Sequence, residues 1–387
     1  MKAIAIKDNI YWVGGIDWDL RNFHGYLTQR GSTYNAYLVI DKKITLIDTV
    51  KRYLCDEMIE RIQSVADPSK IDYIISNHVE MDHSGSLPIL AEIAPTATIL
   101  TSPSGHKGLT AHYPSGLNLK AVGAGETLST GAYTYHFVLT PMVHWPDNMV
   151  TYLPEERILF SNDAFGQHIA SAERFDDEYL LDIIMQEARK YYANIVLPYG
   201  EQVKKALAAA SSLNIETIAP SHGIIWRKNI GAIMSAYADW AGNKTSDKAL
   251  VIYDTMWEST RKIARAIARA FENRGFRTLL MSLQTNHISD IMTELVDAKY
   301  ICVGSPTLNN NMLPTVSAFL TYLKGLAPKN RIALSFGSFG WGGQSVGQVE
   351  EVLKSCGYAM LESIKIKYIP DADTLNRITE KLEKEIS

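Results

Sequence analysis

The stretch Ser76–Pro88, which reads SNHVEMDHSGSLP, decides the fold and carries a dense group of metal-binding side chains. It follows the apolar run Tyr73–Ile75, which is typical of a buried strand. Residues 84–86, Ser-Gly-Ser, supply helix-start residues before the apolar segment Leu87–Ile93. The sequence therefore predicts a strand, a loop and a helix, with the polar side chains on a loop where they can converge without disturbing a core.

Four side chains of this stretch are of the types that bind metals: His78, Glu80, Asp82 and His83. Alternate residues of an extended backbone share a face, so the first three are expected to point the same way. His83 is expected to turn in with the chain. A polar surface loop with capping carboxylates is the alternative interpretation, but two imidazoles and two carboxylates within six residues favour a metal site.

Composition narrows the class of protein. The 387 residues favour two domains, and 46% hydrophobic with 21% charged residues is ordinary for a soluble globular chain. A net charge of −4 argues against a nucleic-acid partner, which would require a basic face. No apolar run reaches membrane-spanning length, and the N-terminus lacks the features of a signal peptide. We expect a cytoplasmic protein that binds neither nucleic acid nor membrane.

The cysteines support the same compartment. Cys55, Cys302 and Cys356 are widely spaced and form no Cys-x-x-Cys pair. This spacing predicts neither a thiolate zinc site nor a rubredoxin-like iron module, and it fits a reducing cytoplasm.

Three further ligand candidates, His144, Asp163 and His222, lie after predicted β segments and before a Gly or Pro turn. Those segments are 136–140, 158–160 and 215–219. Because sites in layered α/β folds gather outside one end of the strands, these residues are expected to join the first four. Four imidazoles and three carboxylates suit two metals with one bridging carboxylate. Two divalent ions with three carboxylates keep one positive charge, which leaves room for a bound anion.

The second half of the chain has a different pattern. The small and polar segment Trp240–Lys248 is expected to be a linker. It divides residues 1–246 from residues 247–387. In the second part, five strands alternate with helices, which predicts a doubly wound parallel sheet. The expected strands are 249–253, 277–281, 300–303, 331–335 and 364–368.

Three loops after these strands are expected to bind a flat, phosphorylated cofactor. The first loop precedes a helix and offers hydroxyls and backbone N–H groups to a monophosphate, without the Gly-x-Gly-x-x-Gly pattern of dinucleotide sites. Its candidate residues are Thr255, Met256, Trp257, Ser259 and Thr260. The second loop contributes Ser305, Pro306, Thr307, Leu308 and Asn309. The third contributes Ser338, Phe339, Gly340, Trp341 and Gly342. Together they favour FMN, although caps and turns alone would also explain any single loop.

The motif His78-x-Glu80-x-Asp82-His83, with the three downstream ligands, resembles the metallo-β-lactamase-like domain of flavodiiron proteins. Hydrolases of that superfamily have His where this chain has Glu80. The resemblance implies an αββα metallo-β-lactamase-like domain followed by a flavodoxin-like domain. It implies that His78, Glu80 and His144 bind one iron, that Asp82, His83 and His222 bind the second, and that Asp163 bridges them. It also places His24 and His168 beside an oxygen-bridged pair of iron ions, in supporting catalytic roles. Tyr191 and Tyr192 are expected to pack in the core, with a role in the pocket as the alternative.

The resemblance implies an oxidoreductase that reduces dioxygen to water, nitric oxide to nitrous oxide, or both. Zinc has no redox chemistry, so a flavin partner selects iron. Reduced FMN and two ferrous ions hold the four electrons that dioxygen requires. The family takes electrons from a separate donor, such as rubredoxin or reduced deazaflavin, and forms head-to-tail homodimers, including dimers of dimers. A dinuclear metal hydrolase with a regulatory flavodoxin-like domain is the alternative, and an electron carrier or gas sensor is a third hypothesis.

Overall fold

The computed structural model describes residues 1–386. Its strands up to the linker are β1 Ile4–Lys7, β2 Ile10–Trp12, β3 Gly15–Asp17, β4 Asn22–Phe23, β5 Tyr26–Leu27, β6 Ser32–Tyr34, β7 Tyr37–Val39, β8 Ile44–Ile47, β9 Ile71–Ile75, β10 Thr98–Thr101, β11 Leu119–Ala121, β12 Thr127–Ser129, β13 Thr134–Leu139, β14 Met149–Leu153, β15 Ile158–Asn162 and β16 Thr217–Pro220. The helices are α1 Cys55–Gln63, α2 Met81–Ser84, α3 Leu87–Ile93, α4 Pro103–His112, α5 Leu181–Tyr191, α6 Gly200–Ala210 and α7 Ile230–Ala241.

The first unit contains two large sheets and the two-stranded sheet β3-β6, and it confirms the expected αββα architecture. One sheet has the order β1-β2-β7-β8-β9-β10-β11, and the other has the order β12-β13-β14-β15-β16. Alternate residues of the strands face opposite sides, so the large side chains Trp12, Tyr37, Tyr135 and Phe137 form a core between the sheets. A second core lies under the outer helices and contains Met58, with other apolar side chains.

The second unit contains β17 Ser246–Tyr253, α8 Ser259–Asn273, β18 Arg277–Ser282, α9 Ile288–Leu295, β19 Ala298–Gly304, α10 Pro314–Leu326, β20 Ile332–Phe339, α11 Gln344–Ser355, β21 Ala359–Met360, β22 Ile364–Lys367 and α12 Ala372–Glu385. The sheet order is β18-β17-β19-β20-β21, with β22 also paired to β20, and every pair is parallel. The flavodoxin-like sheet is therefore confirmed. In this topology the strands that follow β18 are added on the opposite side of β17. The order of the strands therefore reverses between β17 and β19, which opens a crevice at the carboxyl ends of those strands.

Two local expectations were wrong. The predicted linker is shorter than expected, because α7 continues through Ala241 and β17 begins at Ser246, which leaves residues 242–245 to connect them. Lys248 is buried and forms ion pairs with Glu294 and Asp297, which fixes the start of the strand. The third cofactor loop also begins later than expected, because β20 extends to Phe339 and pairs there with β22.

Contacts within the chain define two compact units that are not contiguous in sequence. The second unit consists of residues 239–386 together with the short segments Gly25–Leu27 and Tyr192–Gly200. The domain boundary between residues 246 and 247 stays a prediction. None of the described helices combines the length and the apolar character that crossing a bilayer requires.

Candidate metal centre and cofactor pocket

The first candidate metal cluster combines four residues from three strand ends. His78, Glu80, His144 and Asp163 each offer one ligand atom, and these atoms all lie within 4.8 Å of one another. Glu80 and His144 retain 12% and 13% side-chain exposure, whereas His78 and Asp163 are buried. The cluster therefore has one open side, which a small substrate could reach.

The second candidate cluster contains Asp82, His83 and His222, whose ligand atoms also converge within 4.8 Å. The expected extended backbone through residue 82 was wrong, because α2 begins at Met81. The carbonyl oxygen of Glu80 accepts hydrogen bonds from the backbone N–H groups of His83 and Ser84, which closes a helical turn. This turn directs residues 82 and 83 to the second cluster, while His78 and Glu80 face the first.

Asp163 lies between the two clusters, and each of its carboxylate oxygens faces one of them. Oδ2 lies 3.1 Å from His144 Nε2 and 3.6 Å from His78 Nε2. Oδ1 lies 3.0 Å from His83 Nε2 and 3.4 Å from His222 Nε2. One carboxylate can therefore serve two metal ions at once.

The residues fit a pair of metal ions better than a hydrogen-bonded polar core. Both carboxylate oxygens of Asp82, both ring nitrogens of His83 and Asp163 Oδ1 are buried without a hydrogen-bond partner. Leaving such groups unsatisfied is costly, so buried polar atoms that converge in this way are expected to coordinate ions. Imidazole and carboxylate ligands suit iron.

Two histidines of the clusters are oriented by hydrogen bonds from their other ring nitrogen. His78 Nδ1 donates to Asp147 Oδ2 over 2.8 Å, and His222 Nδ1 donates to the carbonyl oxygen of Thr33 over 2.9 Å. Both bonds leave Nε2 directed into its cluster, as metal-binding histidines require. Asp147 was not expected from the sequence, although its position in the loop of His144 was a usable signal.

His24 and His168 both lie beside the clusters, as expected, but in different environments. His24 is exposed, and its Nε2 donates to Glu80 Oε1 over 2.8 Å. His168 is buried, with Nδ1 2.7 Å from Ser32 Oγ, and its ring centroid lies 4.8 Å from that of His222. Tyr191 is also buried and packs on His168 at 5.2 Å, whereas Tyr192 packs on Trp240. Tyr191 therefore belongs to the wall of the metal centre.

The electrostatics keep the carboxylates ionised. Burial opposes the ionisation of Asp163, but His83, His144 and His222 outweigh it and hold its pKa well below the usual range. Burial likewise disfavours a charged His222, yet Asp163 and Asp82 raise its pKa to about 10. Burial, together with the nearby His222, lowers the pKa of His168 well below its usual value, so that ring is neutral.

A surface cavity of about 460 Å³ leads to the clusters. Glu80 and Asp82 line it, together with Phe23, Lys51 and Tyr53. The ammonium group of Lys51 lies over the rings of Phe23 and Tyr53, at 5.2 and 5.9 Å from their centroids. The entrance therefore combines aromatic surface with the positive charges of Lys51 and Arg52.

The second unit has a separate cavity of about 380 Å³ at the carboxyl ends of its strands. Ten predicted cofactor residues line it: Thr255, Met256, Trp257, Ser259, Pro306, Thr307, Ser338, Phe339, Gly340 and Trp341. Tyr368 and Ile369 also line it and were not predicted, since they follow a strand without a Gly-rich turn. The other predicted residues, Thr260, Ser305, Leu308, Asn309 and Gly342, lie outside this lining.

The cavity fits the phosphate and ring of a flavin. Thr255 Oγ1 is buried without a hydrogen-bond partner, next to the N-terminus of α8, where backbone N–H groups favour an anion. Trp257 and Trp341 are 86% and 81% exposed, so their indole faces are available for stacking. Thr260 supports the cavity from behind, where its hydroxyl is hydrogen-bonded to that of Ser338.

Comparisons with known proteins agree with this architecture. A family described as ODP family beta lactamase matches residues 33–223, and the flavodoxin family matches residues 251–381. The chain is 44% identical to a nitric oxide reductase of Moorella thermoacetica, covering 98% of this chain and 97% of that protein. It is also 44% identical to a rubredoxin-oxygen oxidoreductase of Megalodesulfovibrio gigas, covering 96% and 94%. A coenzyme F420H2 oxidase of Methanothermobacter marburgensis is 41% identical over the full length of both chains.

A solved structure decides the family. The flavodiiron protein of Giardia intestinalis superimposes with a TM-score of 0.96 at 33% identity, covering 99% of this chain and 96% of that one. This chain belongs to the flavodiiron family. The resemblance to flavodiiron proteins that the sequence motif indicated is thus confirmed, and both domains of a flavodiiron protein are present.

Within this flavodiiron protein, the structure brings all seven expected ligand residues together and places His24 and His168 beside them. What the sequence did not reveal is the support behind them. Asp147, Thr33 and Ser32 hold three of the histidines through hydrogen bonds. Such contacts join residues that are far apart in sequence and of common types, so no local pattern identifies Thr33 or Ser32, and only Asp147, in the loop of His144, had a local signal.

Proposed function

We propose that the protein is a flavodiiron oxidoreductase that reduces dioxygen to water, nitric oxide to nitrous oxide, or both. Electrons pass through FMN from a separate donor. The observation that carries the proposal is the position of Asp163, whose two carboxylate oxygens face two buried clusters of imidazoles and carboxylates. Its relatives, named nitric oxide reductase and rubredoxin-oxygen oxidoreductase, support the same chemistry.

The seven ligand residues are proposed to hold two iron ions. His78, Glu80 and His144 hold the first, Asp82, His83 and His222 hold the second, and Asp163 bridges them. When bound, iron and FMN supply the one-electron and two-electron redox chemistry that the side chains lack. The chain fixes the ligands, because Asp147 and Thr33 orient His78 and His222.

Both reductions consume protons, and His24 is proposed to deliver them. Its ring is exposed to solvent, while its Nε2 lies 2.8 Å from Glu80 Oε1 at the edge of the first cluster. A proton held at Nε2 therefore lies between water and the metal centre. His168 is buried beside His222 and is proposed to keep the second cluster in position as a neutral ring.

The cavity of the second unit is proposed to hold FMN. Thr255, Ser259 and the N-terminus of α8 would bind the phosphate, and Trp257 and Trp341 would cover the ring. Thr307, Pro306 and Gly340 complete the wall. Thr260, Ser305, Leu308, Asn309 and Gly342 are proposed to shape the loops around the cofactor.

The electron donor is proposed to be rubredoxin or reduced deazaflavin, as the names of the rubredoxin-oxygen oxidoreductase and the coenzyme F420H2 oxidase suggest. We further propose a cytoplasmic, head-to-tail homodimer in which the flavin of one subunit serves the metal centre of its partner. The three buried, unpaired cysteines suit a reducing compartment.

The test uses purified protein, analysed for iron and FMN, then reduced without oxygen and mixed with dioxygen or nitric oxide at a gas electrode. The proposal requires about two iron ions and one FMN per chain, with catalytic consumption of at least one gas. Protein that is active with zinc alone and tolerates Glu80→Gln would instead be a hydrolase of the same fold. Reversible FMN reduction without gas consumption would indicate an electron carrier.

A further inference from the structure

A partly enclosed apolar cavity lies between helix α6 and the sheet that contains β14 and β15, and the residues that flank His144 and Asp163 belong to its lining. Its volume is about 30 Å³. The helix presents Val203, Ala206, Leu207 and Ala210 to it, at the i, i+3, i+4 and i+7 spacing of one helical face. Two of these four residues are alanines, and the small side chains leave space that larger ones would fill.

The sheet and the loops after it supply the opposite wall. Val150 and Leu159 come from β14 and β15, while Val143 and Phe165 come from the loops. All four are at most 8% exposed. The helix residues Ala206, Leu207 and Ala210 are only partly buried. On that side, only the side chains of α6 separate the cavity from solvent.

Three hydroxyl groups line the cavity, and those of Ser161 and Tyr237 are bonded to backbone, while the third belongs to Thr140. Ser161 Oγ donates to the carbonyl oxygen of Ala164 over 2.7 Å, and Tyr237 Oη accepts the backbone N–H of Phe165 over 2.8 Å. Both hydroxyls are thus engaged with backbone groups. A cavity of this size with apolar walls is expected to stay dry and to take up small apolar molecules.

The wall toward the metal centre consists of the neighbours of two ligands in the chain. Val143 immediately precedes His144, and Ala164 and Phe165 immediately follow Asp163. A molecule in the cavity therefore touches residues that are adjacent in sequence to His144 and Asp163 of the first cluster. This cavity is separate from the one lined by Glu80 and Lys51.

We propose that this cavity is a binding site for the gaseous substrate, a small uncharged diatomic molecule that concentrates there before it reaches the metals. The inference rests on the proposed function for the identity of the gas. Dioxygen and nitric oxide are poorly solvated by water and bind in apolar spaces without hydrogen bonds. Charged molecules are excluded from the cavity, because burying an unpaired charge among apolar side chains is costly.

Xenon provides a probe that does not depend on activity. Crystals of the complete protein are pressurised with xenon, and the anomalous signal locates the bound atoms. The expected result is a xenon atom enclosed by Val150, Leu159 and Ala206 in the wild type, and none in Ala206→Leu. Absence of xenon from this cavity in the wild type would overturn the proposal.

Kinetics test the connection to the metals. Ala206→Leu is expected to lower kcat/KM for the gas several-fold, with kcat at saturating gas and the iron and FMN contents unchanged. Ala208→Leu is the matched control, because it makes the same change on the exposed face of α6. A value of kcat/KM in Ala206→Leu equal to that of the control would overturn the role in substrate supply. A wild type that binds xenon but consumes neither gas would refute the proposed function and leave the gas site standing.

Discussion

Asp163 and its neighbours place three carboxylates and four imidazoles in a small, mostly buried volume, where they have few partners but each other. Without ions, the carboxylates repel one another, and their desolvation is only partly offset by the imidazoles. Ions that bind the folded unit and not the unfolded chain convert this cost into stability. The residues that are proposed to bind the metals are therefore also expected to make the metal-free unit less stable.

Removal of the metals is therefore expected to lower the unfolding temperature of the first unit and to leave the release of FMN on heating nearly unchanged. Differential scanning calorimetry of chelator-treated and iron-loaded protein measures the first effect, and flavin fluorescence measures the second. Equal melting temperatures with and without iron would contradict this reading of the clusters.

Asp147→Asn removes the charge that orients His78 while preserving its shape. We expect iron in the first cluster to bind about 10–100-fold more weakly, as for other partners of metal-binding histidines. The measurement is the iron retained per chain during titration with a chelator. Asp247→Asn, at an exposed position of the second unit, is the control and should retain iron like the wild type.

At the scale of elements, side chains in the turns between strands help to fix how the two sheets are arranged. Asp41 lies between β7 and β8, where its carboxylate accepts hydrogen bonds from Lys42 N, Thr130 Oγ1 and Tyr133 N. Slight burial opposes ionisation of Asp41, but the backbone N–H groups of Lys42, Ala132 and Tyr133 outweigh it and lower its pKa. One side chain thus ties a turn of one sheet to a turn of the other.

Asp41→Ala is expected to lower the free energy of unfolding by about 1–3 kcal/mol at neutral pH, through lost hydrogen bonds. Because the folded pKa is below the unfolded value, the wild-type advantage is complete above about pH 4 and disappears as the pH falls through the folded pKa. Denaturant titrations at pH 7 and at acid pH measure the difference in the free energy of unfolding between the wild type and Asp41→Ala. Asp8→Ala, at an exposed position, should show no such dependence.

Gly337 in β20 is required by close packing at the FMN cavity. A Cβ there would lie 2.0 Å from the carbonyl oxygen of Ser305. Gly337→Ala is expected to cost about 1–3 kcal/mol and to weaken FMN binding, because backbone must move. Gly347→Ala in α11 meets open space and should be neutral, or stabilising by up to about 1 kcal/mol. Flavin fluorescence titration compares the two, and equal affinity would contradict the packing argument.

The sequence predicted most strands and helices, because hydrophobic periodicity reports which side of an element is buried. It also indicated the seven side chains that the structure brings together, because imidazoles and carboxylates after strand ends are uncommon in purely structural loops. It missed the helical turn at Met81–Ser84, which four residues are too short to signal by periodicity. It missed Asp147 and Tyr368 because their roles depend on distant parts of the chain.

At the scale of the molecule, the second unit depends on segments that come early in the chain. Asn194, in the segment Tyr192–Gly200, donates to the carbonyl oxygen of Ser289 over 3.2 Å and accepts from Tyr322 Oη over 2.8 Å. Backbone N–H of Leu27 donates to Ser289 Oγ over 3.2 Å. The flavodoxin-like unit is thus completed by residues that lie outside the flavodoxin match at 251–381.

Asn194→Ala is expected to destabilise the second unit by about 1–3 kcal/mol, because the buried Ser289 and the partly buried Tyr322 each lose a hydrogen bond. The temperature of FMN release should fall, while the iron content stays at the wild-type level. Asn214→Ala, at an exposed position of the first unit, is the control. Unchanged FMN release in Asn194→Ala would show that the segment contributes nothing to the unit.

The interleaved course of the chain restricts how such proteins can be recombined. A chimera made by one cut at the end of α7 would receive a foreign flavin-binding unit. That unit would come without its own segments equivalent to residues 25–27 and 192–200, which complete it. Functional exchange would require transplanting three separate pieces together. Inheritance of the two halves is therefore expected to be joint, with each lineage refining its own matched pair instead of borrowing one half from another.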